Sequence, residues 1–180
     1  MVQDAREEIA ARLARLRANI DRAAARSGRL PGAVTLVAVS KTVSAPVVTA
    51  AAAAGQRVFG ENRVQEALGK AQACGPGIAW HLIGHLQSNK AKLAVRLFDV
   101  VESLDSPALA AELDRRAGEA GRYLRVLVQV KLAAEAAKSG IAQREAPALI
   151  ESVARLPNLE LAGLMTIPPP PDTPEDSRVW

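Results

Sequence analysis

The chain has 180 residues, of which 49% are hydrophobic and one is cysteine. This length suffices for one domain with a sizeable core, and no apolar run reaches the ~18 residues that a membrane-spanning helix needs. We therefore expect no membrane partner. Cys74 alone excludes an internal disulfide, and the charged N-terminus lacks the apolar segment of a signal peptide. These features predict a cytoplasmic protein.

The formal net charge is +4, and aromatic residues make up 3% of the chain. A basic chain can bind nucleic acid, but here the arginines are interleaved with acidic residues, and few aromatic rings are available for base stacking. We therefore expect a solvated, arginine-rich surface and no nucleic-acid partner. A basic protein that binds nucleic acid or another partner remains an alternative function.

Helix and strand signals alternate along the chain. Apolar residues recur at helical spacing within residues 4–26 and predict an amphipathic first helix. The run 36–40 predicts a buried strand, and Ser44, Ser88 and Ser106 are predicted helix caps. The predicted strands cover residues 35–40, 57–60, 78–83, 99–103, 123–131 and 159–167, with helices over 44–54, 64–73, 88–97, 106–120 and 146–156.

This alternation requires parallel strands joined by right-handed crossovers, in either an open doubly wound sheet or a closed barrel. No glycine-rich phosphate motif follows the first strand, which disfavours the dinucleotide-binding version of the open sheet. We expect an α/β protein with a (β/α)8 TIM-type barrel and an extra N-terminal helix. Because six strands are visible, residues 1–180 are expected to form a single barrel domain that is truncated after strand six, without strands seven and eight.

Lys41 directly follows the first predicted strand. In α/β proteins the carboxyl ends of the strands are where ligands bind, and a neutral lysine amine can attack a carbonyl carbon to form a Schiff base. A strand-end lysine is also commonly just solvated. Other side chains follow the remaining strands and predict a shared polar pocket: Glu61, Asn62, His81, His85, Gln87, Ser88, Ser103, Asp105, Lys131, Met165 and Thr166.

Other reactive residues fit ordinary structural roles better. His81 and His85 are four residues apart, but Gly84 interrupts the segment between them, so no metal site is predicted. Cys74 precedes a Gly-Pro-Gly turn and is interpreted as a bystander thiol. The Lys-Ser-Gly stretch 138–140 is interpreted as a plain loop, with a phosphate-binding loop as the alternative.

Five stretches, in order along the chain, carry a specific family resemblance: LVAVSKT at 36–42, GQRVFGENRVQE at 55–66, WHLIGHLQSNK at 80–90, KSGI at 138–141 and GLMTIP at 163–168. On these motifs the sequence closely resembles the pyridoxal phosphate homeostasis protein family, of the proline synthase co-transcribed type. The resemblance implies a barrel similar to the N-terminal domain of alanine racemases.

The resemblance also implies a cofactor and a site. Pyridoxal 5′-phosphate (PLP) would be held as a Schiff base on Lys41, and Asn62 would lie beside it. Ile83 and Met165 match apolar positions near the cofactor ring, and His81 shares the strand-three face of Ile83. The implied role is to buffer or deliver PLP inside the cell, with PLP-dependent apo-enzymes as candidate recipients. The resemblance implies no catalytic turnover.

The alternative on the same barrel is a PLP-dependent amino-acid racemase, which needs a second base opposite the first. Tyr123, the one tyrosine, begins strand five and so lies at the wrong end. In the family, strands seven and eight supply phosphate contacts and an arginine near the pyridine nitrogen. Since those motifs do not occur in this sequence, we expect weak PLP binding and marginal stability.

Overall fold

The computed structural model describes residues 2–132, 139–170 and 172–179, and in them helices and parallel strands alternate as predicted. The helices are α1 (Val2–Arg26), α2 (Ala45–Ala53), α3 (Val64–Cys74), α4 (Ala91–Leu97), α5 (Pro107–Glu119) and α6 (Ala146–Val153). The strands are β1 (Ala38–Val39), β2 (Val58–Glu61), β3 (Ala79–Leu82), β4 (Val100–Leu104), β5 (Leu124–Lys131), β6 (Ile141–Ala142) and β7 (Leu159–Met165). Short 3₁₀ turns cover Ser88–Lys90, Gln143–Glu145 and Pro174–Val179.

The chain divides into two compact units. The first runs up to Glu61 and resumes over Gln65–His81, and the second contains Asn62–Val64 and the chain from Leu82 onward. In the first unit β1 pairs with β2 in parallel, with Ala38 opposite Phe59. The β3 strand begins beside β2, where the Ala79 N–H donates to the Arg57 carbonyl at 2.8 Å.

The first strand is shorter and less buried than the sequence predicts. Only Ala38–Val39 form a strand, Val39 is 52% exposed, and of the predicted run only Ser40 is fully buried. Within the described residues β1 lies at the end of the strand order, so a strand neighbour covers it on the β2 side alone. An apolar run of five residues predicts a strand, but it cannot indicate how many neighbours will cover that strand.

The second unit is built around β5. This strand pairs in parallel with β4 and β7, and its carboxyl end also pairs with the two-residue β6, which the sequence did not predict. Leu113 on α5 and Leu149 on α6 are buried. They belong to the same core as Val126 and Val128 on β5, which are also buried. The predicted α/β fold with parallel strands is therefore confirmed, and the predicted sixth strand is β7.

The three serines predicted to cap helices behave differently. The Ser106 Oγ accepts a hydrogen bond from the Leu109 N–H at 3.3 Å, so this cap is confirmed. Ser44 precedes α2 but makes no side-chain cap bond, and Ser88 opens a 3₁₀ turn that moves the start of α4 to Ala91. Ser44 therefore holds the predicted N-cap position without the side-chain bond, whereas the Ser88 prediction was wrong, because residue type favours a cap but does not fix the rotamer or the turn. Within residues 2–132, 139–170 and 172–179, no helix has both the length and the apolar character required to cross a bilayer.

Candidate functional site at the end of the first strand

Lys41 lies in a tight turn two residues after β1. The turn is closed by a hydrogen bond from the Val43 N–H to the Ser40 carbonyl at 3.0 Å. The Lys41 side chain is exposed, and its amine has no hydrogen bond or ion pair to any residue in the described part of the chain. The turn therefore presents a primary amine that is free to react at the carboxyl end of the strand.

Thr42, the next residue in this turn, has a φ of +64° and is the one non-glycine residue at positive φ in the described chain. A β-branched residue in this region is strained, at a cost of about 1–3 kcal/mol. Its backbone N–H donates to Glu66 Oε1 at 2.7 Å, and its Oγ1 donates to the Lys41 carbonyl at 2.6 Å. The surrounding structure therefore holds the backbone beside Lys41 in a conformation that a free chain would avoid.

A group of four residues, which we name the Lys70 cluster, lies against this turn: the buried Ser40, Glu61 and Lys70, and the half-buried Glu66. The Lys70 ammonium donates to the Ser40 carbonyl at 2.5 Å and to one oxygen of Glu61 and of Glu66, both at 2.6 Å. Ser40 Oγ donates to the same Glu61 oxygen at 2.7 Å. The Lys70 and Glu61 side chains are 8% and 0% exposed.

The charges of the Lys70 cluster fix the protonation of its lysine. Burial on its own lowers the pKa of Lys70, but hydrogen bonds and charges from Glu61 and Glu66 outweigh that effect, so the pKa is raised above its ordinary value of 10.5. Lys70 is therefore a charged hydrogen-bond donor at neutral pH and not a nucleophile. Of these two lysines, Lys41 is the one with a free amine.

The sequence misplaced Glu61 and missed the Lys70 cluster. Glu61 was predicted to follow the second strand as a pocket residue, whereas it is the last residue of β2 and its side chain is buried in an ion pair. The spacing of Glu66 and Lys70, four apart on one helix, is a signal that could have indicated part of the cluster. Its contacts with Ser40 and Glu61 depend on tertiary packing, which no local pattern reveals.

The other predicted site residues are distributed over both units. His81 lies in the first unit on β3, half-buried, next to the buried Trp80. Asn62, Ile83 and Met165 belong to the second unit and are also half-buried. Each of the four lies within the last three residues of its strand or directly after it, as predicted.

Within the second unit, Gly84 lies very close to the backbone of Asn62. A Cβ atom built on Gly84 would lie 2.4 Å from the Asn62 carbonyl oxygen and 2.7 Å from its Cα. The Gly84 carbonyl in turn accepts a hydrogen bond from Ser103 Oγ at 2.6 Å. The sequence indicated Gly84 as a strand breaker, but its close approach to Asn62 was not predicted.

Three further residues of the predicted pocket have polar neighbours: His85, Asp105 and Thr166. His85 Nδ1 lies 3.2 Å from Asp105 Oδ2, and Thr166 donates to the Val130 carbonyl at 3.1 Å. No group of three or more His, Cys, Asp or Glu side chains that could hold a metal ion occurs among the described residues. Of the predicted loop 138–140, Lys138 lies outside the described residues, and the Ser139 carbonyl accepts a hydrogen bond from Gln129 at 3.2 Å.

A parallel α/β fold with an exposed lysine amine after its first strand defines the class of α/β proteins whose lysine can form a Schiff base with a carbonyl compound. Comparison with known proteins identifies the family. The model for the alanine racemase N-terminal domain matches residues 11–179. The pyridoxal phosphate homeostasis protein of Pseudomonas aeruginosa is 46% identical over 163 residues, which is 90% of this chain and 71% of that protein. The protein of the same name from Escherichia coli K12 is 46% identical over 168 residues, with 91% and 71% coverage.

A solved structure agrees with these relatives. PipY of Synechococcus elongatus, determined with PLP bound, superposes with a TM-score of 0.81 at 43% identity and covers 95% of this chain and 76% of PipY. The chain therefore belongs to the alanine racemase N-terminal domain family and, within it, to the pyridoxal phosphate homeostasis proteins. The predicted resemblance and the TIM-barrel-type fold class are both confirmed.

Proposed function

We propose that this chain binds PLP as a Schiff base on Lys41 and serves intracellular PLP homeostasis by holding the cofactor and passing it on. The observation that carries the proposal is the free, exposed Lys41 amine in a strained turn at the end of β1. The names of the relatives and the PLP bound to PipY support it. We also propose that the chain acts in the cytoplasm, as the sequence predicts.

The chemistry of Lys41 fits the aldehyde group of PLP. The neutral amine adds to the aldehyde carbon, and loss of one water then leaves a carbon–nitrogen double bond; the water takes up the aldehyde oxygen and both amine protons. An incoming primary amine could then add to the same carbon; its two protons would pass to the Lys41 nitrogen, and Lys41 would leave as a free amine. The cofactor can therefore be released to an acceptor without net oxidation or reduction.

Four further residues are proposed as cofactor contacts on the strength of the family resemblance. Asn62 would contribute a half-buried amide, Ile83 and Met165 apolar surface, and His81 an imidazole. The tight approach of Gly84 to the Asn62 backbone supports a fixed position for Asn62. Substituting each of the four to alanine, with PLP affinity as the readout, tests each contact separately.

A carrier fits this chain better than a racemase. A racemase needs a second base at the same end as the Schiff-base lysine. Tyr123 directly precedes β5, at the amino end of that strand, and is 80% exposed. We propose that PLP-dependent apo-enzymes are the recipients and that the chain itself has no turnover. Exchange of the α-proton of an added amino acid for deuterium would contradict this part of the proposal.

The basic charge is better explained by surface arginines that form ion pairs than by a nucleic-acid-binding site. On α5, Arg115 and Arg116 both form ion pairs with Glu112 and Glu119 of the same helix. On α1, Arg12 pairs with Glu8 in the same way. Guanidinium groups held by neighbouring carboxylates are poorly placed to neutralise phosphates. Binding to DNA that weakens with added salt would support the basic-protein alternative.

A spectroscopic titration tests the proposal. Addition of PLP to the unaltered chain is expected to produce the visible absorption band of a protonated Schiff base, which Lys41→Ala should lack. Lys92→Ala removes another exposed lysine, on α4, and serves as the matched control that retains the band. Equal bands for the Lys41 and Lys92 variants would refute Lys41 as the attachment point.

A further inference from the structure

We propose that Lys70 is a positioning residue for Lys41, because its buried ammonium holds in place the turn that presents the Lys41 amine. The inference rests on the proposed function, since it concerns how that amine meets PLP. Nothing in the chemistry of the Schiff base requires a second lysine. The argument depends on where the contacts of the Lys70 cluster fall.

These contacts bracket Lys41 on both sides. Before it, the Ser40 carbonyl accepts hydrogen bonds from Lys70 Nζ at 2.5 Å and from the Val43 N–H at 3.0 Å. After it, the Thr42 N–H donates to the same Glu66 oxygen that pairs with Lys70 at 2.6 Å. One ammonium therefore connects the backbone on either side of Lys41 to α3.

The strain at Thr42 shows why the turn needs such a clamp. At φ +64° a threonine leaves this conformation readily unless hydrogen bonds hold it there. Without the Lys70 ammonium, Glu66 loses an ion-pair partner that holds its Oε1 beside the Thr42 N–H. The turn would then relax, and Lys41 would sample positions away from the one that meets the aldehyde.

The core of the Lys70 cluster is also buried. Glu61 is fully buried, so its ion pair with Lys70 is shielded from solvent, and Ser40 Oγ supplies a further hydrogen bond at 2.7 Å. A second oxygen of Glu61 has no hydrogen-bond partner among the described residues. A solvated surface lysine would not hold all of these contacts at once. A lysine that served only to balance the charge of Glu61 would not need its hydrogen bond to the Ser40 carbonyl.

The first experiment measures how fast the Schiff-base band grows after PLP is added to the unaltered chain and to Lys70→Met. Methionine keeps the unbranched apolar stem of the side chain and removes the ammonium. A displaced Lys41 amine is expected to react about 10- to 100-fold more slowly. Glu66→Ala removes the Thr42 acceptor at a half-buried position, so it tests the same clamp if Lys70→Met does not fold. Lys92→Met, at an exposed position, should react at the unaltered rate.

Two further variants separate positioning from general loss of stability. Leu113→Ala creates a core cavity on α5, in the other unit, and should lower stability while leaving the reaction rate unchanged. Adding Thr42→Gly to Lys70→Met should recover part of the lost rate, since glycine adopts positive φ without strain. A loss of rate in Leu113→Ala as large as that in Lys70→Met would overturn the inference, as would parent-like rates in Lys70→Met and Glu66→Ala.

Amide hydrogen exchange of the cofactor-free chain gives a readout that does not depend on PLP. The Thr42 amide should exchange at least about tenfold faster in Lys70→Met than in the unaltered chain. Failure of the unaltered chain to react at Lys41 would refute the proposed function alone, because the exchange rate at Thr42 still reports on the clamp. Unchanged exchange at Thr42 would overturn the inference whatever the outcome with PLP.

Discussion

The contact between Gly84 and Asn62 makes a sharp prediction about stability. Gly84→Ala adds one methyl group at a position where three backbone atoms of Asn62 lie within 3.0 Å of the new carbon: O at 2.4 Å, Cα at 2.7 Å and C at 2.9 Å. Backbone atoms cannot rotate out of the way as a flexible side chain can. The substitution therefore forces the backbones of residue 84 and Asn62 apart.

The size of the effect follows from two terms. Overpacking of this kind costs about 1–3 kcal/mol, and a clash with three backbone atoms places the cost at the upper end of that range. If Gly84 moves, the hydrogen bond from Ser103 Oγ to its carbonyl lengthens, which costs about 1 kcal/mol more. We expect Gly84→Ala to lower the free energy of unfolding by about 3–4 kcal/mol in total.

Gly69→Ala is the matched control, because it makes the same chemical change where there is room. Gly69 lies in the interior of α3, and a Cβ atom built there meets nothing within 4 Å. In a helix the alanine should raise the free energy of unfolding by about 0.5–1 kcal/mol. Urea unfolding of the three proteins, followed by circular dichroism, measures both effects. A Gly84→Ala variant as stable as the unaltered chain would refute the reasoning.

Three further predictions concern caps and pH. Ser106→Ala, which removes the cap bond to the Leu109 N–H, should cost about 0.5–2 kcal/mol in urea unfolding, and an unchanged midpoint would contradict it. Because the pKa of Lys70 is raised in the folded chain, the stability that its charge contributes is fully present below pH 10.5 and is lost as the pH rises through the higher folded pKa. The melting temperature of the unaltered chain should therefore fall more steeply with alkaline pH than that of Lys70→Met. The pKa of Glu112 is lowered below 4.5 by hydrogen bonds and charges from two neighbouring arginines, so its stabilisation is lost as pH falls through that lower value, and Glu112→Gln should flatten the acid decline in the same melts. Parallel profiles for variant and unaltered chain would contradict either pH prediction.

Much of the fold could be predicted from the sequence because its signals are local and periodic. The apolar spacing over 4–26 predicted α1, which spans Val2–Arg26, and each of the six predicted strands overlaps an observed one. The extent and burial of β1 were wrong because exposure depends on which strands lie alongside. The two-residue β6 is too short to leave a pattern.

The site could be predicted only in part. Lys41 could be predicted as a candidate because a reactive side chain after a strand is visible in the sequence, and the family resemblance strengthened that prediction. The Lys70 cluster was missed because Ser40, Glu61 and Lys70 are up to 30 residues apart and meet only through packing. Some of the site stays predicted: Lys41 as the attachment point, and Asn62, His81, Ile83 and Met165 as PLP contacts. The assignment of one PLP-binding domain to residues 1–180 also stays a prediction.

The most direct test of the central claim is to locate the PLP attachment. Borohydride reduction of the chain mixed with PLP converts the Schiff base into a stable secondary amine, which proteolysis and mass spectrometry assign to one lysine. The account predicts a stoichiometric adduct on Lys41 and none on Lys70, whose amine is buried and protonated. An adduct spread over exposed lysines such as Lys92, with Lys41 unmodified, would contradict it.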